Sequence, residues 1–180
     1  LEPNNDFIWT YKDALVPVSI PQNILIVGAG VIGIEFAYFY RSLGATVTVI
    51  DLESRILPSL DEEISLFAQK EFEKQGIKFI FNSRLGHFKK VRNIIDVEII
   101  GNNSKERFKV DKILSAVGVV ANTEGLNLEQ CEVTLSEGRI EVDKFCRTTA
   151  ANIFAIGDMV RGPWLAHKAS HEGVMVAEMI

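Results

Sequence analysis

Short apolar runs alternate with longer stretches of helical apolar spacing in the first 81 residues. Runs rich in Ile and Val predict strands that are buried on both faces. Apolar residues that recur every three or four positions predict amphipathic helices. The predicted order is strand 23–27, helix 31–43, strand 46–50, helix 61–75 and strand 77–81. This alternation favours an α/β fold with a parallel sheet, of the Rossmann type.

The ends and the apolar faces of these helices are also predicted. Gly44 and Gly76 follow the last helical positions, where glycine readily ends a helix. Asp61 is the expected N-cap of the second helix. The apolar residues with helical spacing, which we expect to face the core, are Ile32, Phe36, Phe39, Tyr40 and Leu43 in the first helix and Ile64, Phe67, Ala68 and Phe72 in the second.

The pattern then changes to alternating apolar and polar residues, which is typical of half-buried strands. We expect such strands at 84–90, 94–100 and 106–110. They are separated by turn-prone residues, namely Arg92 and Asn93, then Gly101, Asn102, Asn103 and Ser104. The pattern indicates an antiparallel meander. Residues 112–117 return to the buried pattern and end at Gly118, so this strand should rejoin the parallel sheet.

The composition becomes rich in loop-forming residues near Val120, where a domain boundary is expected. Beyond it we expect a polar strand at 139–142, a buried strand at 153–156 and a helix from Ala166 onward. The first residues are irregular in pattern. Because the sequence lacks an initiator Met and ends within an apolar helical pattern, we expect it to be an internal segment of a longer protein.

Charge and composition argue against several classes of protein. The net charge of -5 argues against a nucleic-acid or membrane-surface partner. The longest mostly apolar run, residues 24–34, is shorter than the roughly 18 residues that a membrane-spanning helix needs. Cys131 and Cys146 are too few and too far apart for a disulfide framework. A reducing compartment is therefore expected, either the cytoplasm or, in a eukaryote, the mitochondrial matrix.

A glycine motif lies between the first predicted strand and the first predicted helix. Its residues are Gly28, Ala29, Gly30, Val31, Ile32 and Gly33, which follow the dinucleotide-binding pattern G-x-G-x-x-G. Gly28 permits the tight turn, Gly30 lets the backbone approach a pyrophosphate, and Gly33 lets the helix pack closely on the sheet. The phosphates would lie at the helix N-terminus, which favours anions. The alternative is a glycine-rich turn without a ligand.

Asp51 ends the next predicted strand, 23 positions after Gly28, as the dinucleotide pattern requires. Its carboxylate is expected to accept hydrogen bonds from the adenine ribose hydroxyls and to repel the extra phosphate of NADP. NAD is therefore the expected cofactor. Glu53 adds negative charge nearby. Arg55 is the residue that could favour NADP, although a single arginine there more often contacts the backbone or solvent.

Several segments together resemble the pyridine-nucleotide disulfide oxidoreductase family over nearly the whole chain. They are IVGAGVIGIE at 26–35, RILP at 55–58 followed by Asp61, AVG at 116–118 with Asn122 and Thr123, NIFAIGD at 152–158, and GPWLAHKA at 162–169 followed by Glu172 and Gly173. The last segment is similar to the lipoamide branch of the family rather than to its glutathione or mercuric reductase branches.

The resemblance implies an NAD-binding domain inserted into an FAD-binding domain. The expected divisions are a linker or tail of the FAD domain at 1–20, the NAD-binding Rossmann domain at 21–120 and a second FAD-domain segment at 121–180. Asp158 would hydrogen-bond the ribityl or ribose portion of FAD. Leu165, Ala166 and His167 would present the positive end of the last helix to the flavin, where it would stabilise negative charge.

The resemblance also implies roles for two further residues, Glu35 and Gly118. Glu35 is assigned a catalytic part, because a carboxylate on an otherwise apolar helix is costly to bury unless paired, and in the family it pairs with a lysine beside the flavin. The alternative is a solvent-facing carboxylate. Gly118 would let the backbone approach the nucleotide. The family's usual Gly-Arg-x-Pro-Asn is replaced by GVVAN at 118–122, which changes the expected loop between the domains.

The activity that the resemblance implies is oxidation of a dihydrolipoyl group, carried by an acyltransferase or carrier protein, with FAD and NAD in a homodimeric enzyme. The family's redox cysteines, four residues apart, and its His-Glu pair do not occur in this sequence. Cys131 and Cys146 are 15 positions apart and receive no catalytic role. His167 and His171 could share a helix face, but no further ligand pattern accompanies them, so no metal site is expected.

Alternatives to that activity stay open. A soluble pyridine nucleotide transhydrogenase or another NAD(P)H-dependent flavin reductase would share the fold and the cofactors. The 180 residues by themselves could instead form a nucleotide-binding module that holds NAD without turnover.

Overall fold

A parallel sheet lies at the centre of the first part of the chain. Across the sheet the strands follow the order β1 (Ile8–Trp9), β8 (Lys112–Ser115), β2 (Asn23–Val27), β3 (Thr46–Ile50) and β4 (Lys78–Ile80). Val27 pairs with Ile50 on one side and with Ser115 on the other. The carboxyl ends of β2, β3 and β8 therefore lie side by side at one edge of the sheet.

This computed structural model describes residues 1–4, 6–102 and 104–180. They form two compact units, Leu1–Gly118 and Val119–Ile180. None of the helices described combines the length and the hydrophobicity that crossing a bilayer requires.

The helices of the first unit are α1 (Tyr11–Leu15), α2 (Val31–Ser42) and α3 (Glu62–Lys74). The Asp61 carboxylate caps α3 by accepting hydrogen bonds from the amides of Glu63 at 3.0 Å and Ile64 at 3.3 Å. Gly44 and Gly76 adopt φ of 92° and 89° just beyond α2 and α3. The predicted N-cap and the predicted glycine ends are therefore confirmed.

The predicted core faces of the two helices are partly wrong. Phe39 and Leu43 of α2 are exposed, and so are Ile64 and Phe67 of α3. Ile32 and Phe36 of α2 are half-buried. The residues that α2 buries are Gly33, Ile34, Ala37 and Tyr40.

The residues that are buried explain why the predicted core-facing sides of α2 and α3 differ from the observed ones. Small side chains at Gly33 and Ala37 let α2 approach the sheet closely, which turns Phe39 and Leu43 outward. In α3 the buried residue is Ser65, whose hydroxyl donates to the Leu57 carbonyl oxygen at 3.1 Å. Ala68 and Phe72 pack against the core, as predicted. Apolar spacing alone does not show which of two adjacent apolar faces contacts the sheet.

The predicted antiparallel meander is confirmed. It consists of β5 (Ser83–Val91), β6 (Ile94–Gly101) and β7 (Lys105–Val110), with β6 in the middle. Alternate β6 residues, Ile95, Val97 and Ile99, are buried in one cluster with Leu25 and Ile113 of the parallel sheet. The turn between β5 and β6 contains Arg92 in the left-handed conformation, with φ of 58°. Asn103, in the second predicted turn, lies outside the described residues.

The first twenty residues contain structure that the sequence did not predict. Ile8 of β1 pairs with Ile113 at the edge of the parallel sheet, and Trp9 is buried. The Ala14 carbonyl of α1 accepts a hydrogen bond from the buried Tyr40 hydroxyl at 2.7 Å. A strand of two residues is too short to show a periodic pattern, so this segment had the pattern of a linker.

The second unit combines a short hairpin with a helix. The hairpin strands are β9 (Leu135–Ser136) and β10 (Arg139–Ile140), and the helix is α4 (Ala166–Met179). Its core contains Val133, Ile140, Ala155 and Val160. The helix beginning at Ala166 is confirmed.

Both strands expected in the second unit differ from the structure. The polar strand expected at 139–142 ends at Ile140. Residues 153–156 form no strand within the described part of the chain and make a single bridge from Phe154 to Arg147. A strand exists through hydrogen bonds to a neighbouring strand, and no strand of the described residues lies alongside this segment.

Candidate functional site

The carboxyl ends of neighbouring strands form the candidate nucleotide site of the first unit. The chain continues from β2 to β3 on one side, whereas β8 lies on the other side of β2. Ligands of open α/β sheets bind at such switch points, outside the carboxyl ends of the strands. Gly28, Asp51 and Gly118 follow β2, β3 and β8 in the chain. Three residues that the sequence proposed for the site thus follow three adjacent strands of the sheet.

Two glycines of the motif are required by the fold itself. Gly28 has φ of 113°, and a Cβ there would lie 2.3 Å from the Ala116 carbonyl oxygen. A Cβ at Gly33 would lie 1.9 Å from the Gly28 carbonyl oxygen. Any side chain at either position would collide with backbone. These glycines therefore let the turn, the helix and the end of β8 meet.

Gly30 differs from the other two glycines. Its backbone is extended, with φ of -73° and ψ of -176°, and a Cβ there would have no protein atom within 4 Å. Neither packing nor backbone strain accounts for glycine at this position. The open space in front of Gly30 is what the close approach of a pyrophosphate requires.

The start of α2 offers hydrogen-bond donors to that space. Gly30 is the N-cap, and no side chain caps the helix. The amides of Val31, Ile32 and Gly33 occupy the first turn, where helix geometry gives N–H groups no partner within the helix. A dinucleotide phosphate thus fits the residues present.

Ala29 lies inside the motif but has no free backbone group. It is fully buried, its amide donates to Oδ2 of Asp51, and its carbonyl oxygen accepts from the Leu57 amide at 2.8 Å. The sequence placed Ala29 among the nucleotide-binding residues. The structure uses its peptide groups to join the glycine turn to β3 and the following loop.

Asp51 is half-buried, and its carboxylate contacts the glycine turn. Its Oδ2 accepts from the Ala29 amide at 2.5 Å and its Oδ1 accepts from the Glu53 amide at 2.9 Å. A carboxylate has about four acceptor positions in all. Each oxygen therefore keeps capacity for another donor, such as a ribose hydroxyl.

Arg55 is turned toward its own loop. Its Nη2 donates to the carbonyl oxygens of Pro58 at 3.2 Å and Leu60 at 3.4 Å. The geometry supports a backbone-contact role rather than a phosphate-binding role. Gly118, three residues after β8, has φ of 115°, and its missing side chain would face open space.

In the second unit, Asp158 lies exposed in a single turn of 3-10 helix, Gly157–Met159. Gly157 begins that turn in the left-handed region, with φ of 75°. The other candidate FAD residues form the start of α4. Leu165 is its N-cap without a side-chain hydrogen bond, and Ala166 and His167 are exposed in its first turn.

Sequence reasoning missed an ion pair beside Asp158. Lys168 Nζ lies 2.9 Å from Glu172 Oε1, and Glu172 Oε2 accepts from the Gly157 amide at 2.8 Å. Burial raises the pKa of Glu172, but the hydrogen bonds from Gly157 and Lys168 and the charge of Lys168 outweigh burial and leave it below its usual value. The spacing of four residues between opposite charges was the available signal.

Glu35 is exposed on α2 and, among the described residues, makes no hydrogen bond or ion pair. The cost of burying its charge therefore does not arise in this unit.

Cys131 is exposed and Cys146 is buried. Burial, and secondarily the charge of Glu172, raises the pKa of the Cys146 thiol. Within the described ranges, no cluster of three or more metal-binding side chains occurs.

Comparison with known proteins agrees with this architecture. The family model for pyridine nucleotide-disulphide oxidoreductases matches residues 3–173. A dihydrolipoyl dehydrogenase from Rhizobium etli is 40% identical over 181 residues, covering 100% of this chain and 38% of the relative. One from Zymomonas mobilis is 43% identical over 176 residues, covering 96% of this chain and 37% of the relative. The chain therefore spans less than two fifths of the length of these curated relatives.

Solved structures show the same fold. LpdA from Mycobacterium tuberculosis superimposes with a TM-score of 0.87 at 28% identity, over 99% of this chain and 39% of LpdA. The HOCl-induced flavoprotein disulfide reductase RclA from Escherichia coli gives a TM-score of 0.87 at 26% identity, over 96% of this chain and 39% of RclA. Together with the extent of the family match, these similarities establish that the chain belongs to the pyridine nucleotide-disulphide oxidoreductase family.

Proposed function

We propose that this chain supplies the NAD site and part of the FAD site of a flavoprotein that oxidises protein-bound dihydrolipoamide with NAD as the acceptor. The observation that carries the NAD assignment is the position of Asp51, whose carboxylate is fixed on the glycine turn while both oxygens keep acceptor capacity. The substrate class rests on relatives named dihydrolipoyl dehydrogenase, at 40% and 43% identity.

The NAD site would consist of the carboxyl ends of β2, β3 and β8. The first-turn amides of α2 would bind the pyrophosphate, and the open space at Gly30 would admit it. Asp51 would accept the adenine ribose hydroxyls. Because Arg55 binds carbonyl oxygens of its own loop, it is not directed to a 2′-phosphate, which favours NAD over NADP.

In the FAD site, the carboxylate of Asp158 would accept a hydrogen bond from the ribityl or ribose hydroxyls. The uncapped N-terminus of α4, at Leu165, Ala166 and His167, would stabilise negative charge on the flavin ring. When bound, the flavin would supply the electron transfer between the substrate dithiol and NAD. Glu35, exposed on α2, is available to pair with a cation from another segment of the protein.

The proposal extends to the assembly and location of the whole protein. A lipoyl-bearing acyltransferase or carrier protein would be its substrate partner, and a homodimer its working form. The cytoplasm, or the mitochondrial matrix in a eukaryote, is the corresponding compartment. The partner and the homodimer follow the resemblance to the lipoamide branch in the segment at 162–169, and the compartment follows the two widely spaced cysteines.

The test is to purify the full-length protein, measure bound FAD and follow NAD reduction driven by dihydrolipoamide, with NADP in parallel. We expect turnover with NAD and little with NADP. Bound FAD without dihydrolipoamide turnover would remove the substrate assignment. Hydride exchange between NADPH and NAD would then identify a transhydrogenase, and NADH oxidation by another acceptor would identify a different reductase.

A second function concerns the 180 residues alone. Cys131 and Cys146 lie 15 positions apart in the sequence, one exposed and one buried, so they do not form the family's redox pair. The chain by itself would then bind NADH without turnover. An NADH titration followed by a diaphorase assay tests this. Saturable binding without activity is expected, whereas bound flavin with turnover would refute the module hypothesis.

A further inference from the structure

The Lys168–Glu172 ion pair binds the backbone of Gly157, the residue that precedes Asp158. Glu172 Oε2 accepts from the Gly157 amide at 2.8 Å, and Lys168 Nζ donates to the Gly157 carbonyl oxygen at 3.2 Å. The two side chains also bind each other, with Nζ 2.9 Å from Oε1. Both polar groups of Gly157 are therefore held by one ion pair on α4.

Glycines leave the space that this arrangement needs. A Cβ at Gly162, where φ is 124°, would lie 2.7 Å from Cε of Lys168. A Cβ at Gly157 would lie 3.3 Å from Cβ of Ala169. The loop after Asp158 thus passes close to the Lys168 side chain, and the turn before it lies against α4. Lys168 is enclosed between the turn and the loop.

The Lys168–Glu172 pair is much less exposed to solvent than another ion pair in the same unit. The side chains of Lys168 and Glu172 are 16% and 19% exposed, whereas those of Arg161 and Glu137 are 66% and 74% exposed. An exposed pair contributes little to stability, whereas removal of one partner from a pair that is largely shielded from solvent leaves a charge that water compensates less well. The Lys168–Glu172 pair can therefore fix local geometry, and Glu137 offers a matched control.

We infer that Lys168 and Glu172 are positioning residues for FAD, which set the Gly157–Asp158 turn and the start of α4 in the arrangement that the flavin nucleotide binds. This inference rests on the proposed FAD-binding role of Asp158. One helix carries both the ion pair and the proposed flavin-facing N-terminus, so the pair fixes Asp158 relative to Ala166 and His167. Neither Lys168 nor Glu172 needs to touch FAD in order to act in this way.

The test uses the full-length flavoprotein with Lys168→Met, Glu172→Gln, the double variant, Glu137→Gln as control and Asp158→Ala as reference. Lys168→Met keeps the methylene arm without the charge, and Glu172→Gln keeps the side-chain shape. FAD is removed, and the dissociation constant is measured on reconstitution well below every melting temperature. The absorption spectrum of the bound flavin and the affinity for NADH are recorded in parallel.

We expect each single variant to bind FAD about tenfold more weakly, because a charge-assisted hydrogen bond to Gly157 is weakened or lost. The double variant should bind FAD only slightly more weakly than the single variant with the lower FAD affinity, since the two residues act as one pair. The flavin spectrum should shift in both single variants, while their NADH affinity stays unchanged. The Glu137→Gln variant should keep the FAD affinity and the flavin spectrum of the unaltered protein.

The outcomes separate this inference from the proposed function. If Asp158→Ala weakens FAD binding but Lys168→Met and Glu172→Gln bind FAD as the unaltered protein does, the pair only stabilises the fold and the inference is wrong. If Asp158→Ala leaves FAD affinity unchanged, the proposed FAD site is wrong and the inference fails with it. Should Lys168→Met not fold, the nearly isosteric Glu172→Gln decides between these results.

Discussion

Oδ2 of Asp51 accepts a hydrogen bond from the backbone amide of Ala29 at 2.5 Å, and this bond joins the end of β3 to the glycine turn that follows β2. Ala29 is fully buried, whereas Asp51 is half-buried. The carboxylate thus satisfies a buried donor with one oxygen and still has acceptor capacity toward solvent. Its proposed role in NAD binding and its role in holding the turn are coupled through the same group.

Replacing Asp51 should separate these two roles. Asp51→Ala leaves the buried Ala29 amide without a partner, so we expect the free energy of unfolding to fall by about 1–3 kcal/mol. Asp51→Asn keeps an oxygen that can accept from Ala29, and stability should change much less. Both variants should bind NADH at least about tenfold more weakly, because the charged acceptor of the ribose hydroxyls is lost.

Urea unfolding and NADH titration measure the two effects. Glu53→Gln is the control, since it removes a neighbouring negative charge but keeps the Asp51 hydrogen bonds. Unchanged NADH affinity in Asp51→Asn would contradict the proposed ribose contact.

The motif glycines should respond differently to alanine. Gly33→Ala places a Cβ 1.9 Å from the Gly28 carbonyl oxygen, so it should destabilise the fold by several kcal/mol. Gly30→Ala places a methyl group in open space with an unstrained backbone, and its stability should stay within about 1 kcal/mol of the original. NADH binding should nevertheless be lost in Gly30→Ala, because the methyl group occupies the space proposed for the pyrophosphate.

Thermal unfolding and NADH titration of both variants test this contrast. Tight NADH binding by Gly30→Ala would show that glycine at this position does not serve the nucleotide.

Arg55 should not determine the choice between NAD and NADP. Its Nη2 binds the carbonyl oxygens of Pro58 and Leu60. Arg55→Leu should therefore leave the ratio of NADH to NADPH affinities unchanged, while thermal stability falls slightly as the loop loses its donor. A large change in that ratio would show that the guanidinium reaches the nucleotide.

The sequence predicted elements whose signal is local. The strands at Asn23–Val27 and Thr46–Ile50, the N-cap at Asp61 and the helix from Ala166 each follow from residues within one segment. The unpredicted features depend on distant residues. Among the residues that the structure describes, no strand lies beside 153–156, so this apolar run forms a bridge instead.

The candidate site shows the same division. The glycine pattern and Asp51 were recognisable from spacing, because dinucleotide binding constrains residues along one strand–helix–strand unit. Two hydrogen bonds are tertiary contacts: the Ala29 amide donates to Asp51, and the Gly157 amide donates to Glu172. Residue type and spacing do not specify which of several nearby donors a carboxylate binds.

Tyr40 should make stability depend on pH in the alkaline range. Its hydroxyl is buried and donates to the Ala14 carbonyl oxygen, and burial raises the pKa of Tyr40 from 10.0 to about 12. Between those two values the unfolded chain has lost this proton while the folded protein keeps it. The free energy of unfolding must therefore fall as pH rises, by about 1.4 kcal/mol per pH unit from this group.

Tyr40→Phe removes both this titration and the hydrogen bond to Ala14. At pH 8 the variant should be less stable than the original protein by about 1 kcal/mol. As pH rises from 10 toward 12 the order should reverse, because only the original protein must keep a buried phenol protonated. Urea unfolding across this range measures the crossover, and Tyr38→Phe is the matched control because Tyr38 is exposed. Parallel stability curves for Tyr40→Phe and the original protein would show that burial of Tyr40 does not perturb its ionisation.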